Sequence, residues 1–210
     1  MHLGRGGFII SGALVMVAYF LLFALVHSLL ADPRFKSQAR GALGNAFDRW
    51  QRLAYNLLAL LMILPFLFIM IFLPDRTLYI IPAPWRWLML AAQLLAALAL
   101  LLILRQTGIS YFLGFIQLWG ASEPARRAGG LVTDGFYCRI RNPLFFFAAI
   151  FLWLTPLMTE NLLAFNIMAT VYFYLGARHE ERSLKEEFGV EYEDYKKRVP
   201  MFLPRLGCQG

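Results

Sequence analysis

The sequence predicts an all-α integral membrane protein of about five transmembrane helices, the last two forming a helical hairpin that runs on into a cytoplasmic C-terminal helical tail. Three observations predict it. Of the 210 residues, 60% are hydrophobic and 16% are charged, against roughly 25% charged in a soluble domain. The apolar residues are gathered into long runs rather than scattered. Lysine and arginine are concentrated in alternate connections between those runs.

The runs can be taken in order. Phe8 to Leu30 is 23 residues long, and its only potentially charged member is His27. Leu53 to Leu73 gives 21 residues and Trp87 to Leu104 gives 18, both without a charge. About 20 apolar residues cross a hydrocarbon core of about 30 Å, so each run is a spanning helix. The first is longer than the roughly 7–15-residue apolar core of a cleaved signal peptide, and no clear A-x-A site follows it, so it is kept as a span. Between the first two spans, Ala31-Asp32-Pro33-Arg34-Phe35-Lys36 opens on a turn and continues as a short basic surface helix. The 74–86 connection carries Pro74, Pro82 and Pro84 beside Trp85 and Trp87, the mark of a compact exterior loop at headgroup level. Residues 105 to 120 mix aromatics with Gly108, Gly114 and Gly120 and read as an interfacial segment; residues 121 to 134 are a polar, Gly-rich loop.

From Pro143 to Leu175 the chain is apolar again but is cut by Thr155-Pro156-Leu157-Met158-Thr159-Glu160-Asn161, where a turn belongs. Each arm of this hairpin is roughly 14 to 16 residues, about 21–24 Å of helix. The second arm continues as a polar helix through Arg178-His179-Glu180-Glu181-Arg182. No internal repeat or low-complexity linker interrupts residues 1–210, which read as a single domain with a three-helix N-terminal part (1–104) and a part carrying the polar constellation (105–210).

Orientation follows from the cations. Residues before the first span hold Arg5 alone, the 74–86 loop holds Arg76 and Arg86, and the hairpin turn holds none. The 31–52 loop, the 105–142 loop and the tail from Arg178 hold 17 of the 20 lysines and arginines. The amino terminus is therefore expected outside and the long tail in the cytoplasm, in the cell (inner) membrane. The net charge of +7 is explained by this topology and by anionic lipid. It calls for no nucleic-acid partner, and no nucleic-acid motif is present. Cys138 and Cys208 both fall on the cytoplasmic side, where a disulfide is not expected. No oligomeric state can be read.

Chemistry concentrates in Gly129 to Phe145 and in the acidic start of the tail. Gly129 and Gly130 let backbone approach a ligand closely. Pro143 suits the first turn of a helix, which puts Asn142 at its N-cap. The free N–H groups of that turn suit an anion or polar ligand. Arg141 brings a fixed positive charge able to hold a carboxylate, and Tyr137 a ring face and a hydroxyl. Glu180 or Glu181 can return to the same pocket. Read singly, each has a plainer meaning: Arg-Asn-Pro is a snorkelling charge and a helix start, Glu-Glu a solvated helix face, Tyr192 and Tyr195 amphipathic packing, and His27 a hydrogen-bonded structural residue. The set and its order carry the reading.

That order is Gly135, Tyr137, Arg141, Asn142, Pro143, then Glu180 and Glu181, then Phe188, Gly189, Tyr192, Tyr195, Arg198, Val199, Pro200. It resembles the membrane methyltransferase superfamily of isoprenylcysteine carboxyl methyltransferases and phospholipid methyltransferases over about the last 80 residues. His27-Ser28-Leu29-Leu30-Ala31 with Phe35-Lys36, Arg52 with Tyr55, Pro156-Leu157-Met158-Thr159 and Val199-Pro200-Met201 are similar to the methanethiol S-methyltransferase and NnrU-like branch. The resemblance implies S-adenosylmethionine as cofactor. It implies that Gly129, Gly130, Leu131, Val132 and Tyr137 line the cofactor, that Arg141, Asn142, Pro143, Leu144 and Phe145 meet it at the helix start, and that Glu180 contacts its polar end; Gln117 is a further candidate. No metal is implied.

The chain departs from the superfamily at two positions. Asn142 stands where His is usual; it can donate and cap but cannot carry a proton. Gly176 stands where the prenylcysteine branch has an Arg assigned to substrate. The implied function is a membrane S-adenosylmethionine-dependent methyltransferase acting on a small thiol or other lipophilic acceptor. The catalytic residue stays open among Arg141, Asn142 and His27. A non-catalytic NnrU-like accessory protein and a carboxyl methyltransferase of the isoprenylcysteine type are the alternatives. A transporter is disfavoured, since five segments offer no evident inverted repeat.

Overall fold

The computed structural model describes residues 11–108 and 130–208. Most of the expected interfacial segment, whose first residues 105–107 instead end the helix that begins at Trp85, most of the loop after it, and Gln117 and Gly129 lie outside the described residues.

Seven helices and two short strands follow in chain order among the described residues. Helix α1 (Gly12–Ala31) ends at Asp32, one of whose carboxylate oxygens accepts from the Arg34 and Phe35 amides at 2.7 and 3.3 Å and so caps α2 (Pro33–Leu43). This is the short basic helix expected after the first span. Gly44, at φ +58°, turns the chain into α3 (Asn45–Phe72). Strand β1 (Thr77–Ile80) precedes α4 (Trp85–Thr107). Next come α5 (Pro143–Trp153), β2 (Leu157–Thr159), α6 (Glu160–Phe188) and α7 (Val190–Arg198).

Three helical stretches are long and apolar enough to cross a membrane: Gly12–Ala31, Arg49–Phe72 and Trp85–Thr107. Leu60, Leu61, Leu64 and Phe68 of α3 and Leu94, Leu95, Leu101 and Leu102 of α4 are exposed along their lengths. Faces of this kind are stable against lipid and not against water. Helix α5, with 11 residues, covers about 16 Å and is shorter than the arm expected for it. Helix α6 runs unbroken for 29 residues, carrying apolar and polar halves in one rod. Thr159 caps its start by accepting from the Leu162 amide.

The core lies where α1, α3 and α6 meet. Met16, Phe20, Phe66, Ile69 and Ala169 are buried there, with Phe23, Phe165 and Tyr172 packed around them. Phe20, Phe23, Phe66 and Phe165 form a set of tilted and edge-on ring contacts between 5.2 and 5.8 Å. The Tyr19 hydroxyl donates to the Met62 carbonyl at 2.9 Å, three residues before Pro65 inside α3. Side-chain bonds join the other helices. Gln93 Nε2 of α4 donates to the Phe151 carbonyl at 2.9 Å, and Trp153 Nε1 of α5 to the Thr170 hydroxyl at 2.9 Å. Between membrane helices, which have no hydrophobic drive to associate, such bonds and close packing do the joining.

The 74–86 connection was expected as a loop, and it contains β1. β1 pairs antiparallel with β2, Thr77 opposite Thr159 and Ile80 opposite Leu157. The pair ties the connection after α3 to the turn between α5 and α6. Neither strand is long enough to leave a periodic signal, and the partner lies about eighty residues away.

A second correction concerns the cysteines. After α7 the chain doubles back: Pro200 and Met201 carbonyls accept from the Arg141 and Asn142 amides at 2.9 and 3.3 Å, and the Arg205 amide donates to the Arg139 carbonyl at 3.1 Å. The return brings Cys208 to Cys138 with Cα atoms 5.1 Å apart, and the two form a disulfide. The expectation of unpaired cysteines rested on compartment alone; the fold of the tail puts them within bonding separation.

Candidate active site

The site is assembled from three stretches, the first lying about forty residues before the other two. The first is the turn from Asp134 to Asn142. Gln106 Nε2 at the end of α4 donates to the Asp134 carbonyl at 2.9 Å. Gly135 follows at φ +60°, and a Cβ there would lie 2.6 Å from Gln106 Nε2. The positive φ favours glycine at this corner, while a Cβ would only require the end of the Gln106 side chain to move. The turn closes on buried Ile140 and delivers Arg141 and Asn142 to the start of α5. Asn142 occupies the N-cap and Pro143 the first helical position, as the spacing predicts.

The Asn142 side chain does not cap its own helix. Its Nδ2 donates to Glu181 Oε1 at 3.0 Å. The same oxygen accepts from Arg141 Nε at 2.8 Å. Arg141 Nη1 donates further to the Val199 and Lys196 carbonyls at 2.6 and 3.0 Å. Arg141 and Glu181 side chains are each only 9% exposed, so this is a buried ion pair. A buried pair holds because every charge is met by hydrogen bonds; losing one partner strands the other.

The second stretch is the polar half of α6. Ala177 and Glu181 are four residues apart and both buried, so one helix face carries the pair inward. Glu180, next along the helix, is half-buried, and its charge reaches Tyr192.

The third is α7 with its tail. Tyr192 and Tyr195, at 1% and 3% exposure, pack with Val199 against Leu131, Leu184 and Phe188. Amphipathic packing is thus what this tyrosine pair does. The Tyr195 hydroxyl donates to the Tyr137 carbonyl at 2.7 Å, locking α7 onto the turn. The Tyr192 hydroxyl is buried beside the ion pair, with the Arg141 guanidinium as its polar neighbour. Burial, reinforced by the Glu181 charge for Tyr192 and by the neighbouring phenols for Tyr195, pushes both phenols well above the usual tyrosine range.

Of the residues singled out from sequence, Tyr137, Arg141, Asn142, Pro143 and Glu180 are gathered here. Leu144 and Phe145 form the first turn of α5, and the Phe145 ring faces Gly176, where a Cβ would come within 3.3 Å of it. Leu131 lies on the α7 cluster, and Gly130 and Val132 flank it in the chain. Gly130 takes φ +77° with open space where a side chain would be. His27 makes its contacts elsewhere, between α1 and α3. Glu181 and Tyr192 were quoted in the motif but not as site residues. The signal for Glu181 is small Ala177 four positions earlier, which marks the buried stripe of a helix whose polar half otherwise reads as solvated. Among the described residues, no three His, Cys, Asp or Glu side chains group to hold a metal ion.

Comparison with known proteins places this geometry. The chain is 33% identical over 201 residues to methanethiol S-methyltransferase 2 of Bradyrhizobium diazoefficiens, covering 92% of this chain and 73% of that protein. It is 30% identical over 196 residues to the methanethiol S-methyltransferase of Pseudomonas deceptionensis, with the same coverages. A shorter stretch of 81 residues is 34% identical to the protein-S-isoprenylcysteine O-methyltransferase of Schizosaccharomyces pombe, covering 36% of this chain and 34% of that one. No family model and no solved structure matches. Spanning helices with one buried polar centre at their edge, taken with these relatives, define a membrane-embedded methyltransferase. The chain belongs to the methanethiol S-methyltransferase family.

Proposed function

We propose that this enzyme moves a methyl group from S-adenosylmethionine to a small thiol, methanethiol being the acceptor named for its relatives. The observation that carries the reading is the Arg141–Glu181 bond. It joins the turn before α5 to the acidic stretch of α6, forty residues on, in one centre.

The residues present fit a sulfonium nucleoside. Glu180 is half-buried and its charge acts on Tyr192, and a carboxylate suits the ammonium group or ribose hydroxyls. The buried Tyr192 hydroxyl beside Arg141 is one further polar group. Gly130 leaves an open flank on the backbone leading to Leu131 and Val132. Tyr137 brings a ring at the turn, and Asn142 to Phe145 form the start of α5, so these residues would hold the cofactor. Bound there, S-adenosylmethionine supplies an electrophilic methyl group. The chain's own residues bind and orient; near-attack positioning alone is worth about 7–11 kcal/mol. Arg141 and Asn142 act one step back. They fix Glu181, and through it the angle between α5 and α6, while Arg141 holds the α7 carbonyls over the turn.

The larger frame is part of the same proposal. Residues 1–210 form one methyltransferase domain, in which 1–104 is a three-helix membrane part and 105–210 the cofactor-binding part. α5 and the apolar half of α6 add a hairpin to the three spans, with the amino terminus outside the inner membrane and the tail in the cytoplasm. The cofactor then enters from the cytoplasm and the apolar acceptor laterally between helices. Titration calorimetry with S-adenosylhomocysteine tests the site. The wild-type protein is expected to bind, and Glu180→Ala to bind roughly 10- to 100-fold more weakly, the worth of a charged hydrogen bond. Absence of binding by the wild type would return the chain to a non-catalytic accessory role.

A further inference from the structure

Methylating a thiol releases a proton, and the centre just described offers no obvious acceptor for it. Arg141 is a cation, Asn142 does not titrate, Glu181 is committed to both, and Glu180 is assigned above to the cofactor's polar end. One buried base lies outside that centre. His27, 4% exposed, sits near the end of α1. Its Nδ1 is 3.0 Å from the Phe23 carbonyl, so Nδ1 carries the hydrogen and Nε2 the lone pair. Nε2 is buried and has no hydrogen-bond partner. A buried acceptor left unmet is costly and calls for an occupant.

Its surroundings say what occupant. The imidazole stacks on Phe23 at 4.0 Å and meets the edge of Tyr55 at 5.2 Å. Phe23 in turn meets Phe66 and Tyr172. A wall of aromatic rings with a single lone pair in it suits a small apolar group that carries one weak hydrogen. An S–H group has that character, and sulfur lies favourably against ring edges. Tyr55 and Tyr172 are only half-buried, so their side of the cluster reaches the surface of the helices. An apolar thiol would arrive by that surface.

We propose that His27 Nε2, beside Phe23 and Tyr55, receives the acceptor thiol and takes its proton. This rests on the thiol-methylation reading above. The S–H bond breaks and its proton passes to Nε2. The sulfur electron pair forms the new S–CH3 bond as the bond from that carbon to the donor sulfonium breaks, that pair staying on the donor sulfur. The imidazolium then returns its proton to water. The titratable group against the ring is Tyr55 on α3, with Arg52 one turn before it in the chain; Tyr172 on α6 meets Phe23, on which the imidazole stacks. α2 carries Arg34, Lys36 and Arg40, while Asp32 is engaged in capping α2.

The test compares two acceptors in the full-length protein: an alkanethiol, mostly protonated at neutral pH, and an aryl thiol, largely ionised. His27→Gln should lower kcat/KM for the alkanethiol about 100-fold, the low end for lost general-base catalysis, and that for the aryl thiol by far less. Its affinity for S-adenosylhomocysteine should stay at the wild-type value. Equal losses for both thiols, or none, overturn the proposal. Should the variant fail to fold, two wild-type measurements decide. The alkanethiol pH profile should rise through an imidazole titration, ordinarily near 6.5, that the aryl thiol profile lacks; matching profiles overturn the idea. Adding alkanethiol to the S-adenosylhomocysteine complex should shift the nitrogen-15 resonance of one histidine Nε2; no shift overturns it. A wild-type protein that binds no S-adenosylhomocysteine and transfers no methyl group refutes the underlying reading instead.

Discussion

Glu181 bears the heaviest burden of any single residue. One of its oxygens accepts from both Arg141 and Asn142, and the Arg141 guanidinium spans the gap to α7. Glu181→Ala leaves a buried guanidinium without its countercharge. Such loss costs about 3–5 kcal/mol, to be read as a lowered midpoint of unfolding in detergent, with the tail more open to protease. Asn142 explains itself at this scale too. A neutral donor at 3.0 Å from Glu181 Oε1 adds a bond without altering the charge of the pair. A histidine in its place would bring a titrating group into that pair. The resemblance exposed the departure, and the hydrogen bond gives its physical content.

At the scale of elements, α7 is what closes the site. It is only nine residues long, too short to hold as an isolated helix, so it depends on docking. Tyr192 and Tyr195 supply the buried face, the Tyr195 hydroxyl bonds the turn, and Lys185 of α6 pairs with Glu193 at 2.7 Å. Both buried phenols have folded pKa values above the unfolded value near 10. Their contribution is therefore complete below about pH 10 and is lost as pH rises through the folded values. Titration by tyrosinate absorbance should show two phenols ionising after the rest, with release of α7 accompanying them. Tyr195→Phe should remove one of these late ionisations, make the release less steep in pH, and cost about 1 kcal/mol for the lost bond.

At the scale of the molecule, charge asymmetry and site position make one claim. Seventeen of twenty cations lie in alternate connections and the tail, and the Arg141–Glu181 centre is built from those stretches. A reporter fused after Gly210 that is active only in the cytoplasm should report activity, and one that requires the exterior should not. The reverse result would refute the orientation and, with it, cofactor entry from the cytoplasm.

Legibility in the sequence followed the range of the forces involved. The three spans were readable because twenty consecutive apolar residues answer to the bilayer alone, with no need of a partner. The α2 helix, the Asn142 N-cap and the Pro143 start were readable because caps and prolines act on their own neighbours. The order of the Arg-Asn-Pro, Glu-Glu and Tyr-x-x-Tyr stretches marked which parts of the chain meet. It left open which of two adjacent glutamates turns inward, since only the packing of Ala177 on the buried face decides the phase of that helix. Pairing of β1 with β2, the return of the tail across Arg139 to Asn142, and the Cys138–Cys208 bond all join residues separated by about sixty or more positions. Local pattern carries no trace of such contacts. The sequence by itself determined a membrane protein of this family, its spanning helices and the stretches that supply the candidate site. Only the tertiary structure decided that Glu181 anchors that site and that His27 keeps a lone pair free, because both follow from which faces meet across a three-dimensional interior.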